Sequence, residues 1–478
     1  MLFCIIALKR MKRKKNFLVI NPGPSLKEFI FEELRMLKLN IYVASKTPAP
    51  ALLLKYIQVN NIISCDNYNP QQLIPQIISF MKNKVTMFHG VITLCEESVY
   101  QTALIADFFN LAGISPEAAL KSSVNKYLMR ETCKKNSINM PRYFAFTSFT
   151  DGLEKYMKFS KATVIKPVNS ADSQGVFKIN IPRKKKCFKD AYNKMIGKLD
   201  SINENINQYL IEEYIPGTTH SIDGVIQNKK IHTLGDSTIK MGAEPYFFQE
   251  TCFIPSDLSS KRLKMLHKFV ERVIKALDFD NCGFHCEIRL NKGKPYLLEI
   301  AARCPGGLLP LQYKEVYGIN LVHLAARIAL GENIDHLIIN TKKRKLFSAF
   351  PRISTLEEGK LISINEIKNL SYNSYIKRII KFYNLEENIY SANFPKAIIG
   401  FLVVTDNKAS LNTILTVIKR SVSFNIKPFN NLSFSPYGFL RTLSKFLKKF
   451  SALIFHTSIV VIFFSRNLPL FLISPFVR

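Results

Sequence analysis

Two glutamates and an arginine in the stretch HCEIRLNKGKPYLLEIAAR, His285 to Arg303, have the types and spacing to hold a metal ion and an anion side by side. Two runs of alternating apolar residues, FHCEIRL and PYLLEIA, flank the turn residues Asn291, Lys292, Gly293 and Lys294, which predicts a β-hairpin. Glu287 and Glu299 then sit on neighbouring antiparallel strands and can face the same side. Mg²⁺ prefers hard oxygen donors, so two carboxylates are enough when phosphate oxygens complete the shell. Arg303, four residues beyond Glu299, offers a planar fork of donors for an anion beside that metal. The same residues also fit a surface hairpin with two solvated acids, and nothing inside the stretch separates the two readings. Cys282, His285 and Cys286 raise zinc as an alternative. No second ligand pair follows at a suitable distance, however, and the neighbouring acids suit magnesium better.

Three further segments carry groups suited to phosphate or base recognition. SSVNKYLMRETCKK predicts a helix with Lys126 and Arg130 one turn apart on one face. TVIKPVNSADSQGVFKI predicts a strand with Lys166, a small-residue loop from Ser170 to Gly175 that includes Ser173, and a second strand. Such a loop either folds its backbone amides over phosphates or is a plain hairpin turn. IEEYIPGTTHSIDGVI places Glu212, Glu213, Tyr214 and Ile215 ahead of a Pro216, Gly217 turn and a strand with Ser221 and Asp223. A hinge of this kind can offer backbone groups to an adenine edge.

Positioning these groups takes several layers of structure. From Phe17, NFLVINPG predicts a buried strand, followed by a helix from Leu26 to Leu39 and the strand NIYVAS. Strands at Asn61 to Cys65 and Val91 to Cys95, with helices near Gln71 to Met81 and Ser98 to Ala112, continue a parallel α/β pattern. Asn21 to Ser25 is a strand-to-helix turn rather than a phosphate loop, because Pro22 and Pro24 remove backbone donors. After Glu332, LFSAFPRI and AIIGFLVVTDN predict strands and Ser410 to Arg420 a helix, which suits a small α+β domain. The resulting division is 16–120, 121–335, 336–428 and a basic, apolar tail over 429–478. Within that tail the apolar run Ser451 to Phe464 is too short to span a bilayer. A basic amphipathic start with Lys445, Lys448 and Lys449 allows peripheral membrane contact, a helix buried against the domain, or a tail produced by a frameshift.

With 478 residues and 47% apolar content the chain is long enough for about three domains with real cores. Its formal charge of +31 raises nucleic acid, anionic membrane or an anionic small ligand as partners. The lysines are spread along the whole chain and form no basic stripe interleaved with aromatics, which argues against nucleic acid. Nine cysteines without a repeating spacing argue against a disulfide framework and for a reducing cytoplasm. The amino terminus places an apolar run before its basic cluster, the reverse of a secretory signal, and Met11 is a candidate for the natural start.

In combination, Lys126, Lys166 with its small-residue loop, the EEYIPG hinge, Glu287, Glu299 and Arg303 occur in an order that resembles the ATP-grasp superfamily, over roughly Ser122 to Glu332. FHCEIRL, LLEIAARCPGGLLP and YGINLVHLAARIALGE look like the branch of L-amino acid ligases and carnosine-synthase-like enzymes. The resemblance implies an ATP-grasp fold preceded by a parallel α/β domain, an α/β and α+β multidomain architecture. It also implies a ligase that joins a small carboxylate to an amine through an acylphosphate, using ATP with Mg²⁺ or Mn²⁺, in the cytoplasm; a homo-oligomer is left open. Lys126, Lys166 and Lys240 would bind phosphates, Ser173 and Gly175 would belong to the closing loop, and Glu212 to Ile215 would line the adenine pocket. Asp223 would serve the ribose, Glu287 and Glu299 would hold the metal, and Arg303 would face the substrate carboxylate. Departures from the family pattern are Asp172 in the loop, Thr219 after the hinge, Gln249 where an acid is common, and Ala301 where asparagine is common outside the amino acid ligase branch. The alternative reading is a degenerate ATP-grasp protein that binds nucleotide or membrane as a scaffold without turnover.

Overall fold

The computed structural model describes residues 14–429, apart from 24–26, 47–50, 67–68, 85–86, 172, 202–205, 243, 245–246, 340–344 and 391–394. Asp172, the amino-terminal segment and the membrane-contact tail, on which three of the expectations above rest, lie outside the described residues. Near the amino terminus, runs that are apolar at every position become strands covered on both faces. β1 (Asn16–Ile20), β2 (Asn40–Ser45), β3 (Ile62–Ser64) and β4 (Gly90–Ile92) form a parallel sheet in the order β3-β2-β1-β4. Phe17, Leu18, Val19 and Ile20 are all buried, as a parallel sheet with helices on both faces requires. The helices Glu28–Met36, Pro70–Lys84 and Val99–Phe108 supply the layers, so the expected parallel α/β order is the one the chain adopts.

The middle of the chain builds two antiparallel sheets. β5 (Tyr143–Phe146), β6 (Thr163–Pro167), β7 (Phe177–Ile179) and β8 (Tyr209–Glu213) pair in the order β5-β8-β6-β7. Helices Phe149–Tyr156 and Lys185–Ser201 back this sheet through a core that includes Phe146, Tyr156, Ile165, Phe188 and Ile211. The larger sheet takes β9 (Thr218–Gln227), β10 (Lys230–Met241), β11 (Gln249–Ile254), β12 (Cys282–Asn291) and β13 (Lys294–Ala301).

Six more strands follow: β14 (Phe347–Thr355), β15 (Gly359–Ile364), β16 (Ile376–Lys381), β17 (Asn388–Ile389), β18 (Lys396–Thr405) and β19 (Phe424–Lys427). Three of them do not stand apart from the middle region. The large sheet runs β13-β12-β9-β10-β11-β14-β18-β16, so the carboxy-terminal strands extend it, and only β17-β15-β19 form a separate small sheet. Pairing at this range links β11 to β14 across roughly a hundred residues, and no local pattern announces it.

One helix decides which way the hairpin faces. In Ser260–Leu277 the buried residues Leu266, Phe269, Val270, Val273, Ile274 and Leu277 recur at three- and four-residue steps, the stripe of an amphipathic helix. Ser259 caps its start, and Asp278, at φ 58°, ends it in the left-handed region. The stripe shares one core with Phe284, Cys286, Ile288 and Leu290 of β12. Strand side chains alternate, so His285, Glu287 and Arg289 must point the other way. Burying a side chain of this kind stabilises by roughly 1.5–3 kcal/mol, and a one-residue slip would turn the glutamate into that core.

Candidate active site

The cleft begins at the start of a helix. Asn125 caps Lys126–Lys135 by accepting from the amides of Tyr127 and Leu128, each at 3.1 Å. The Lys126 amide donates to the Val168 carbonyl at 3.0 Å, which stitches the helix to the segment after β6. Its Nζ donates to the Ser170 carbonyl at 2.6 Å and lies 3.6 Å from Glu299 Oε2. Lys126 is therefore fixed between the small-residue loop and the hairpin.

One turn further along the helix, Arg130 is completely buried and binds Glu212 of β8, with Nε 2.8 Å from Oε1 and Nη2 3.3 Å from Oε2. Its Nη2 also donates to the Leu298 carbonyl at 2.7 Å. Lys166, on the neighbouring strand β6, places Nζ 2.7 Å from Glu212 Oε2. One carboxylate thus holds two buried cations. Burial raises the Glu212 carboxyl, but Arg130 and Lys166 outweigh it and bring it down to about 2. Burial pushes Lys166 down to about 8, with the charges of Arg130 and Lys126 adding to it and Glu212 opposing it.

Across the cleft, Glu287 and Glu299 are direct register partners in the β12–β13 pair, with an irregularity immediately after Glu287. Directly opposed residues have Cβ atoms about 5 Å apart, so two carboxylates can share one ion. Glu287 Oε1 accepts from Gln249 Nε2 at 3.0 Å and faces His285 Nε2 at 3.3 Å. Burial raises Glu299, but Lys126, Lys166, His285 and Arg303 hold it below the usual carboxylate range. His285 is bonded on both sides, with Nδ1 2.5 Å from Asp223 Oδ1. Burial lowers it, and Asp223 and Glu287 overcome that, raising it to about 10.

These donors suit a hard divalent ion. Both glutamates line the same cleft, both are oxygen ligands, and among the described residues no cluster of three or more His, Cys, Asp or Glu converges to make a closed protein site. Two carboxylates with an incomplete shell are what Mg²⁺ requires when phosphate supplies the remainder. The zinc alternative does not fit. Cys282 and Cys286 turn into the core on the face of β12 opposite His285, and both His285 nitrogens face carboxylates.

The end of the cleft at the hinge is aromatic. Lys178 Nζ sits 3.8 Å from the centre of the Tyr214 ring, and the Phe247 ring lies 6.2 Å from it. The turn that leads there admits only glycine: Gly217 has φ 128°, and an added Cβ would lie 2.1 Å from the Leu290 carbonyl oxygen. Arg289 Nη1 donates to the Gly217 carbonyl at 3.1 Å, which fixes the turn against β12.

Of the residues singled out in the sequence, Lys126, Lys166, Ser173, Glu212, Glu213, Tyr214, Ile215, Glu287 and Glu299 line one cleft. Thr219 lines it too. Gly175 does not, but its neighbour Val176 does, and Gly175 turns at φ 74° against Pro167. Asp223 stands apart from the cleft lining. It is wholly buried, accepts from Ser221 Oγ and the Tyr313 hydroxyl as well as His285, and lies off the cleft wall. Its carboxylate meets His285 Nδ1 and so orients that ring. Lys240 pairs with Glu250 at 2.9 Å in a second cleft that shares Tyr214, Thr219, Met241 and Arg289 with the first, and its neighbour Met241 lines both. Arg303 borders an adjoining cavity of about 580 Å³, where its Nε lies 2.8 Å from Glu96 Oε2.

Several contributors went unassigned in the sequence. Arg130 was placed on the right helix face, but its role depends on Glu212, 82 residues away. Arg289 is two residues beyond Glu287, so strand alternation alone puts it on the cleft face. Glu96 gave no signal. It sits in a short turn after β4 and also accepts from Ser123 Oγ at 2.5 Å, so the amino-terminal domain supplies the counter-charge of Arg303.

A cleft between two antiparallel sheets, with lysines from one side and paired glutamates from the other, defines an ATP-grasp fold. Residues 159–310 match the family described as ATP-grasp domain. The crystal structure of an L-amino acid ligase from Bacillus licheniformis superposes with a TM-score of 0.75 at 20% identity, covering 87% of this chain and 100% of that one. Among curated proteins, the uncharacterized protein y4rH of Sinorhizobium fredii is 22% identical over 425 residues, 88% of this chain and 84% of y4rH. Carnosine synthase 1 of Gallus gallus is 31% identical over 125 residues, 26% of this chain. The chain spans only 13% of that synthase's length.

Proposed function

We propose that this chain is an ATP-dependent carboxylate–amine ligase. ATP phosphorylates a carboxylate to an acylphosphate, an amine displaces the phosphate, and an amide forms with release of ADP and phosphate. The observation that carries this reading is the convergence of Lys126, Lys166, Glu287 and Glu299 on one cleft that has an aromatic wall at Tyr214. Phosphoryl transfer depends on alignment and charge neutralisation more than on a protein nucleophile, and these groups provide both. The fold of the Bacillus licheniformis enzyme and the matching segment of carnosine synthase 1 support the same reaction class.

Each residue then has a defined task. Lys126 and Lys166 bind the phosphates, and Glu212 keeps Lys166 and Arg130 in place. Backbone groups from Glu213 to Ile215 meet the adenine edge, with Tyr214 and Phe247 forming an aromatic wall beside it. Glu287 and Glu299 would hold Mg²⁺, or Mn²⁺ in its place, which supplies charge neutralisation at the transferring phosphoryl group. Arg303, steadied by Glu96, binds the substrate carboxylate and the anion formed from it. The loop from Ser170 to Gly175 is tied to Lys126, so phosphate binding at that lysine and water exclusion by the loop act together.

The test is ADP release from Mg-ATP with a panel of amino acids and small carboxylates offered as donors and acceptors. The reading expects release that needs both substrates and falls by roughly 10²–10³-fold in Glu299→Ala and Lys166→Ala. Release that is indifferent to either substitution, or ATP binding with no turnover on any pair, would overturn it.

A further inference from the structure

The loop after Arg303 runs through Cys304, Pro305, Gly306 and Gly307 before the helix Leu309–Tyr317. A Cβ added at Gly306 would meet only Arg303 Nη1, at 3.9 Å, and one at Gly307 only Arg352 Nη2, also at 3.9 Å. Adjacent glycines therefore border open space flanked by two guanidiniums. Arg352 comes from β14, far away in sequence, and is half-buried. Its Nη2 donates to Gln249 Oε1 at 2.9 Å, and Gln249 Nε2 donates onward to Glu287 Oε1 at 3.0 Å.

Arg352 and Arg289 differ from the other arginines near the site in their charge balance, and of these two only Arg289 lines the nucleotide cleft. Arg130 pairs with Glu212, Arg303 with Glu96, and Arg378 with Glu32. Among the described residues no carboxylate pairs with Arg352; its hydrogen-bond partner is the neutral amide of Gln249. A half-buried cation without a counter-charge is costly to maintain and attracts an anion. That anion is not the nucleotide, because neither Arg352 nor Gln249 lines the nucleotide cleft.

We propose that Arg352 binds a carboxylate that a substrate brings and keeps, the one that is not phosphorylated. This rests on the ligase reading above and makes Arg352 a specificity-determining residue for it. The spacing supports it. Arg352 is one glutamine removed from the glutamate pair, roughly 8 Å along two hydrogen bonds and an amide. That path is an upper bound on the direct separation, and the terminal carboxylate of an aminoacyl–amino acid lies one residue, about 3.5 Å, beyond its new amide bond, so a carboxylate seated on Arg352 would point that amide towards the metal pair. The same chemistry is met by the second carboxylate of a dicarboxylic donor.

ADP release distinguishes these sources. One arm compares amino acid acceptors with their amides, glycine against glycinamide and L-alanine against L-alaninamide. The other holds the acceptor fixed and compares succinate with butyrate. Wild-type protein is expected to prefer the carboxylate-bearing member in one arm by roughly 10- to 100-fold, the worth of a charge-assisted hydrogen bond. Arg352→Met should bring that ratio towards one through the KM of that substrate, with the KM for ATP unmoved, and Arg352→Lys should retain part of it. A ratio unchanged in Arg352→Met, or no preference in either arm for wild type, overturns the proposal. Absence of ADP release from wild type on every pair would instead sink the ligase reading. Arg352 is then judged by calorimetric titration of succinate and glycine into protein saturated with a non-hydrolysable ATP analogue. Weaker binding in Arg352→Met supports the assignment, and equal or undetectable binding in both proteins overturns it.

Discussion

Glu212→Gln removes the charge that holds Arg130 and Lys166 together while preserving the size of the side chain. Glu212 is 3% exposed and Arg130 0%, so neither water nor a neighbouring acid replaces the lost carboxylate. A carboxyl held at about 2 instead of 4.5 in a fully buried site contributes about 3 kcal/mol at neutral pH. Breaking a buried pair by removing one partner costs about 3–5 kcal/mol, which agrees. The folded-state value is depressed, so this stability is fully present above pH 4.5 and is lost as the pH falls towards 2. Urea unfolding followed by far-UV circular dichroism suits a chain without tryptophan. We expect Glu212→Gln to lose about 3 kcal/mol at pH 7, with the gap from wild type closing between pH 4.5 and 2. Because Mg-ATP brings negative charge to the orphaned cations, saturating nucleotide should restore more stability to the variant than it adds to wild type. A loss under about 1 kcal/mol at pH 7, or a gap that acid leaves unchanged, would refute the reasoning.

Two further outcomes follow from the same geometry. Lys166 is held down at about 8, and phosphate favours its charged form, so nucleotide binding should take up a proton near pH 8 and none near pH 6, with affinity falling as the pH rises through 8; calorimetry in buffers of different ionisation enthalpy reads the proton directly. Gly217→Ala forces a Cβ against the Leu290 carbonyl at φ 128° and should cost at least 1–3 kcal/mol and raise the KM for ATP, whereas Gly293→Ala, with nothing within 4 Å of its Cβ, should leave that KM unchanged; thermal melts and steady-state kinetics compare the two.

What the sequence revealed was local. Alternation on either side of an NKGK turn gave the hairpin, and with it the direct pairing of Glu287 with Glu299. Cap, spacing and helix face put Lys126 and Arg130 together. The surroundings of the other residues depend on partners remote in the chain. Asp223 lies opposite His285 in the register, but Tyr313, 90 residues away, closes over it and takes it off the cleft wall. Lys240 has the right chemistry for a phosphate, yet its strand neighbour Met241 faces the cleft. Arg352 lies in a region the sequence assigned to a separate small domain, and it approaches the site only because β14 joins the large sheet beside β11. Pairings between distant strands are set by the whole fold, which is why neither Arg352 nor Glu96 was visible beforehand.

The central claim is that a carboxylate is activated by direct phosphorylation in this cleft. It is tested most directly by supplying the active donor with ¹⁸O in its carboxylate and analysing the phosphate released with ADP. The account predicts one ¹⁸O transferred into each phosphate, with the yield of labelled phosphate falling in Glu299→Ala as ADP release falls. Phosphate released with ADP but without label would contradict it.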